Sequence, residues 1–358
     1  MALTADVSVV GAGIIGLCTA AALARQRLKV VLIGEQQAGE ASAAAAGMLA
    51  PSVERATGPA NDFAIAARDL YPGWLAWLAE ETGISVPLNR LGAVQIAISE
   101  KGVKGLRKSA PASAFWLDRQ ELARLEPPLA HGLGAMFNPL DGAVDNVALV
   151  RALEQFVDAS SYVTRVSGHV VSVLPRRHSQ SVVLRSGETV DSARVVLAPG
   201  AWGKALAESA RCLRFVRPVR GQLVAFDSIG LRHVIYGPRG YLVPRASSAT
   251  IAGSTMERVG FDATTTPEGV AKVRSAAEEI APALAAADVA ATWAGLRPVT
   301  PDMLPLLGPD ADNPSLIHAC GHSRNGILLA PLTGDVVAAL VSGAPVNHDL
   351  SQFRPDRF

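Results

Sequence analysis

Cysteine is scarce in this chain: three residues in 358, Cys18, Cys212 and Cys320, odd in number and widely spaced. Such a set forms neither a disulfide framework nor a zinc-binding spacing and suits a reducing compartment, so a cytoplasmic location is expected. Charge of one sign is lacking as well. The formal net charge is +1 and no run of five or more like charges occurs, which removes the electrostatic footprint of a nucleic-acid or anionic-membrane binder. Long apolar runs are missing except for residues 7–24, which carry no charge. Three glycines interrupt that stretch, Asp6 rather than a basic cluster precedes it, and no cleavage site with polar flanks follows. A buried strand, a turn and a helix explain it better than a membrane span or a secretory signal. Also absent are a GxSxG elbow, an HExxH pair and a GxxxxGK[ST] loop, so hydrolase, zincin and phosphate-transfer chemistries lack their residues. No paired-carboxylate site, metal site or internal repeat is evident.

What is present is apolar mass: 49% hydrophobic content over 358 residues supports one large core or two smaller ones. Residues 6–10 read as a buried strand, 14–26 as an alanine-rich helix and 29–33 as a β-branched strand, which together make a βαβ unit. Residues 39–51, with four consecutive alanines, have the composition of a helix or linker. Residues 61–81 have helical periodicity, and Pro72 is expected to kink or divide that helix. Short alternating strands follow at 88–98 and 132–144, then a helix at 147–157 and strands at 170–174, 182–185 and 194–198. A second antiparallel set is expected at 217–226, 240–244 and 250–253, with a helix near 267–280. A strand at 315–319, a turn and a helix at 327–341 restore the α/β rhythm.

Gly11, Gly13 and Gly16 form GxGxxG between the first strand and the first helix. The first glycine permits the tight turn and the second lets the backbone approach a pyrophosphate. The third lets helix and strand pack closely, while the amides of Ile14 and Ile15 lie at the positive end of that helix. A carboxylate should end the second strand to accept ribose hydroxyls. Gly34 holds that place in an ungapped reading and Glu35 follows one later, so Glu35 is the expected ribose ligand: either the strand is one residue longer or the contact is looser, with lowered cofactor affinity. The small residues of 41–50, Ala41, Ser42, Ala46, Gly47 and Met48 among them, let the backbone lie against a flat ring system.

This last segment, Ala-Ala-Gly-Met-Leu, resembles the flavin-contacting loop of the D-amino acid oxidase superfamily. Trp293-Ala294-Gly295-Leu296-Arg297-Pro298 and the block from Ala319 to Pro331 resemble two signature strings of the glycine oxidases of thiamine biosynthesis. Gly240-Tyr241-Leu242-Val243-Pro244-Arg245 and Gly253-Ser254-Thr255-Met256 resemble that family's substrate-domain block. The resemblance covers nearly the whole chain in the same order.

The resemblance implies an α/β fold: a Rossmann-like domain for FAD, held non-covalently, interleaved with an α+β substrate domain that contains a large antiparallel sheet. The expected ranges are 1–85, 145–213 and 291–358 for the FAD domain, and 86–144 and 214–290 for the substrate domain. It implies cofactor contacts from Val170, Gly200, His322, Ser323, Arg324, Asn325, Gly326, Ile327 and Leu328, where a helix N-terminus favours negative charge on the reduced ring. Arg297 is the expected bidentate clamp for a substrate carboxylate. By resemblance Tyr241 adds a hydroxyl, and Arg324 reaches the substrate from the other side. His322 is expected to act through its backbone. The implied reaction is oxidative deamination of glycine, with hydride passing from the α-carbon, oxygen as electron acceptor, and glyoxylate, ammonia and hydrogen peroxide as products. A homotetramer is implied as well. Sarcosine or a small D-amino acid as substrate, a non-oxygen acceptor, and a flavin-binding protein without turnover remain alternatives.

Overall fold

The computed structural model describes residues 3–54 and 56–358; residues 1, 2 and 55, inside the first expected domain range, lie outside them. One eight-stranded sheet is centred on Leu3–Val10, which pairs in parallel with Val30–Ile33 on one side and Thr189–Leu197 on the other. Val7, Val9 and all of Val30–Ile33 are buried, the run of apolar residues that a parallel strand covered on both faces requires. Val163–Val166 extends this sheet beyond Val30–Ile33, and Leu316–Cys320 joins it beside Thr189–Leu197 in parallel. Helix Ile14–Arg25 packs on one face, with ten of its residues buried, against helix Gly326–Ser342.

A second eight-stranded sheet runs in the order Val289–Val299, Arg217–Asp227, Ala249–Gly253, Tyr241–Pro244, Val234–Tyr236, Ala93–Ala97, Gly134–Asn138 and Phe115–Leu117. All its pairings are antiparallel except that of Val234–Tyr236 with Ala93–Ala97. Helix Pro267–Ile280 covers its outer face through Val273, Ala277 and Ile280 against Val224, Phe226 and Leu242. The three short strands Met48–Leu49, Gly142–Val144 and Leu88–Asn89 form a third sheet.

Two expectations are refined by the structure. Val289–Val299 pairs along its length with Arg217–Asp227, so by its hydrogen bonds this strand belongs with the second sheet and the expected boundary at 291 moves past Val299. Pro72 does not divide its helix, which runs from Pro59 to Thr82. An interior proline costs about 3 kcal/mol. Phe63, Tyr71, Trp74, Leu75 and Leu78 are all buried on that helix, and at about 1.5–3 kcal/mol per large apolar side chain their burial outweighs the proline. The stretch between Ala97 and Gly134, given no element in the sequence reading, holds two helices, Glu100–Lys108 and Arg119–Leu125. The second opens on a reciprocal cap between Asp118 and Glu121, a signal readable from the D-x-x-E spacing. Among the described residues, no helix is long and apolar enough to cross a membrane.

Candidate active site

A cavity of about 460 Å³ lies between the two large sheets, running from the Gly11–Ile15 turn to Arg297 and Tyr241. At the first end the backbone does the shaping. Gly11 has φ +107°, and a Cβ there would lie 2.1 Å from Ala198 O. A Cβ on Gly16 would lie 1.8 Å from Gly11 O, so strand, turn and helix meet as closely as the spacing predicts. The helix ladder opens with Leu17 N donating to Gly13 O, 2.9 Å, and Ile14 N donates instead to Ser42 Oγ, 2.9 Å. No acidic side chain occupies that first turn. The positive end of the helix dipole is thus open to an anion on the cavity side.

Gly34 explains the one-residue shift of the acidic position: a Cβ there would lie 2.8 Å from Ala12 Cβ and 2.9 Å from Ala12 N. Glutamate has no room at 34, and Glu35 is the carboxylate that reaches the wall. It accepts from Gln37 Nε2 at 2.8 Å and pairs with His169 Nδ1 at 2.9 Å, beside Val170. These contacts fix its side chain, which argues against the looser contact.

The small-residue loop contains a single helical turn, Ala41–Ala44, pinned from behind. Asn146 Nδ2 donates to Ser42 O and Ala43 O at 2.8 and 3.1 Å, and Trp293 Nε1 donates to Ala44 O at 3.0 Å. With those carbonyls satisfied outside, Ala41, Ser42, Ala46, Gly47 and Met48 present a shallow, apolar wall to the cavity. Gly200, Cys320 and the turn His322-Ser323-Arg324-Asn325 form the opposite wall. Ser323 N donates to Pro298 O at 3.0 Å, which ties this turn to the second sheet. The helix ladder begins with Leu329 N to Asn325 O, 2.9 Å, so the N–H groups of Gly326 and Ile327, both on the wall, precede it.

Of the expected cofactor residues, Gly16 and Leu328 do not line the cavity. Gly16 is a packing residue, and the Leu328 side chain is buried in the core beneath helix Gly326–Ser342. The rest are brought together. A long cavity with open amides from two helix N-termini, a carboxylate at one side and a flat small-residue wall fits a dinucleotide that carries a planar ring.

At the far end, side chains take over. Arg297 Nη1 donates to Thr255 O at 3.2 Å and Nη2 to Ser254 Oγ at 2.6 Å. Among the described residues it has no carboxylate partner. Burial pushes its pKa below the ordinary guanidinium value, and nearby Arg324 adds to that push while the Tyr241 hydroxyl opposes it. The room for both side chains comes from bare strand positions. A Cβ on Gly221 would lie 1.9 Å from Arg297 Nη1, and one on Gly253 would lie 2.3 Å from Tyr241 Oη, which is the close approach that a glycine inside a strand marks. Tyr236 stacks on Tyr241 with ring centroids 6.3 Å apart.

Arg324 differs from expectation. It lies on the cavity wall but pairs with Glu54 Oε2 at 2.5 Å. Burial alone would lower its pKa, yet Glu54 and Tyr236 more than offset it and hold it raised. Its charge is already balanced, so the structure does not support it as a second carboxylate clamp. His322 is fully enclosed, with Nε2 3.2 Å from Thr333 Oγ1, and burial pushes its pKa down to about 3. That makes it too weak a base to take a proton near neutrality, consistent with a backbone role. Burial raises Cys320 to about 12, which leaves no thiolate nucleophile on this wall. Glu54, Tyr236, Asn146 and Gly221 were not singled out from sequence, and Trp293, Gly253 and Ser254 entered only as members of the resembling strings, with no role assigned; of these, only the strand glycines carried a local signal.

A family model described as FAD dependent oxidoreductase matches residues 6–340. The bifunctional protein ThiO/ThiG of Synechocystis sp. is 36% identical over 371 residues, covering 100% of this chain and 55% of its own length; the chain thus spans about half the length of that relative. Glycine oxidase of Geobacillus kaustophilus is 33% identical over 361 residues, covering 97% of this chain and 96% of its own. The crystal structure of glycine oxidase from Geobacillus kaustophilus superposes with a TM-score of 0.92 at 31% identity, with 99% of each chain covered. Iminodiacetate oxidase from Chelativorans sp. BNC1 superposes with a TM-score of 0.88 at 26% identity, with 98% of each chain covered.

Proposed function

Because the chain belongs to the FAD dependent oxidoreductase family, we propose that it oxidises the amine of a small amino acid, glycine foremost. The observation that carries this reading is Arg297, a half-buried guanidinium facing the cavity with its inner N–H groups held by Thr255 and Ser254 and no acidic partner among the described residues. A buried cation without a counter-ion is costly unless an anion completes it, and a carboxylate matches a guanidinium with two charge-assisted hydrogen bonds. The Tyr241 hydroxyl stands beside it to donate a further one.

Clamping the carboxylate leaves the α-carbon and amine directed toward the small-residue wall, and that alignment is the main catalytic contribution of the protein. FAD, when bound, supplies the acceptor for the hydride that leaves the α-carbon. No group on the wall is suited to abstract a proton: His322 is too weak a base, Cys320 stays a thiol, and Glu54 is committed to Arg324. This favours a substrate whose amine arrives neutral. The imine product hydrolyses to glyoxylate and ammonia. Preference for glycine draws on the glycine oxidases similar to this chain, as does the assignment of oxygen as acceptor, with hydrogen peroxide formed. A homotetramer in the cytoplasm, supplying thiamine biosynthesis, completes the reading; three free cysteines agree with that compartment. In the test, purified protein is incubated with glycine in air while peroxide and glyoxylate are measured. Stoichiometric formation of both supports the reading, and glycine turnover at the blank rate by yellow, flavin-loaded protein overturns it.

A further inference from the structure

Outside the cavity lining, on the face of strand Leu316–Cys320 that His318 shares with Leu316 and Cys320, three side chains converge: Cys212, Asp310 and His318. Cys212 lies in the turn Arg211–Phe215, Asp310 follows strand Leu306–Pro309, and His318 is central in Leu316–Cys320. Their donor atoms all lie within 4.8 Å of one another. We propose that these three side chains form a binding site for a borderline-soft divalent cation, zinc above all, with the fourth coordination position open to solvent past half-buried Cys212.

The donor set is sulfur, imidazole nitrogen and carboxylate oxygen, the combination zinc takes. Cys212 Sγ is 3.4 Å from both Nδ1 and Nε2 of His318, so the sulfur lies on neither lone pair alone and the thiol has no single well-directed acceptor. With zinc–sulfur and zinc–nitrogen bonds near 2.3 and 2.0–2.1 Å, a tetrahedral site separates its ligands by roughly 3.3–3.6 Å. In the metal-free arrangement the sulfur packs against the ring, off both lone-pair directions, and turning the Cys212 side chain toward Asp310 brings it to the ion. His318 Nε2 and Asp310 Oδ2, 2.8 Å apart in a hydrogen bond, need only open by about half an ångström as the ion takes the place of the shared proton, which moves to Nδ1 and keeps the imidazole ligand neutral. Asp310 is pre-set for this: its Oδ1 accepts from Asp312 N at 3.0 Å and Asn313 N at 3.1 Å. His318 is wholly buried.

Charge agrees with geometry. One thiolate and one carboxylate neutralise a divalent ion, so a filled site adds no net charge to a low-dielectric region. The neighbouring cation, Arg357, is engaged with Asp302 at 2.8 and 3.1 Å. A peroxide-sensing role for Cys212 fits less well, because burial first and the Asp310 charge second push its thiol up to about 12. A bound metal displaces that proton. Nothing in the proposal depends on the substrate assigned above.

The test uses tag-free, flavin-loaded protein stripped with chelator, titrated with zinc by calorimetry and with cobalt by absorbance. The expected result is one zinc per chain and a thiolate-to-cobalt charge-transfer band. Cys212→Ser should lose that band, and Cys212→Ser and His318→Gln should each bind zinc about 100-fold more weakly, with flavin content unchanged as the control for folding. Wild-type protein that takes up no zinc, or variants that bind as wild type does, would overturn the site. Should the variants fail to fold, the wild type still decides. Zinc should protect Cys212 from alkylation, read by peptide mass, and labelling undiminished at saturating zinc contradicts the proposal.

Discussion

At the Gly11–Ile15 end of the cavity the protein offers backbone: amides at a helix N-terminus, turns closed by bare glycines, and a loop whose carbonyls are tied away by Asn146 and Trp293. At the Arg297 end it offers side chains, each brought from a different strand or turn and held by partners tens to hundreds of residues away. Backbone recognition needs close approach and tolerates little added volume. Side-chain recognition needs charge balance, and so the guanidiniums on that wall differ: Arg324 has Glu54, Arg239 has Glu279, and Arg297 has no carboxylate among the described residues.

The sharpest break should come at the backbone end. Gly11→Val places atoms where a bare Cβ already meets Ala198 O at 2.1 Å, and FAD affinity should fall at least about 1,000-fold, about 4 kcal/mol, measured by cofactor titration of protein whose circular dichroism is intact. Next, Arg297→Met should leave the flavin band in place and lower kcat/KM for glycine by about 1,000-fold, about 4 kcal/mol. Arg297→Lys should recover only part of that, since an ammonium cannot make the paired contact.

A third effect belongs to His322. Burial lowers its folded-state pKa to about 3 from 6.5, so between those values the unfolded chain binds the proton and the folded chain does not. Its contribution is complete above about pH 6.5 and is lost as pH falls toward about 3, a loss on the order of a few kcal/mol. His322→Gln should therefore flatten the decline of Tm between pH 7 and pH 4; an unchanged decline would remove His322 from the acid response. Smaller still, Tyr241→Phe should lower kcat/KM about 10-fold, near 1.4 kcal/mol, for one lost hydrogen bond to the substrate. The smallest change is expected of Arg324→Gln, within about 3-fold, because its partner is Glu54 and half-exposed pairs contribute little. A loss as large as that of Arg297→Met would restore Arg324 as a second clamp.

The same division separates what was legible in the sequence from what was not. Gly11, Gly13 and Gly16 announce themselves by spacing, and the strands and helices around them follow from apolar periodicity, because backbone demands are local. The shift from Gly34 to Glu35 is visible in sequence, but its reason, Ala12 packed against residue 34, is not. Arg297 and Tyr241 stood out only through resemblance. Glu54, 270 residues from Arg324, and Ser254, 43 from Arg297, leave no pattern along the chain. The strand Val289–Val299 was missed for a like reason: its partner Arg217–Asp227 is chosen by register across a long connection, and that pairing has no local signature.

The most direct test of the Arg297 clamp is the anaerobic bleaching of the flavin band by subsaturating glycine, followed by stopped flow in wild-type protein and in Arg297→Met at equal flavin content. The expected result is rapid bleaching of the wild type and bleaching about 1,000-fold slower in the variant. Equal rates in the two proteins, or a wild-type flavin that glycine leaves oxidised, would contradict it.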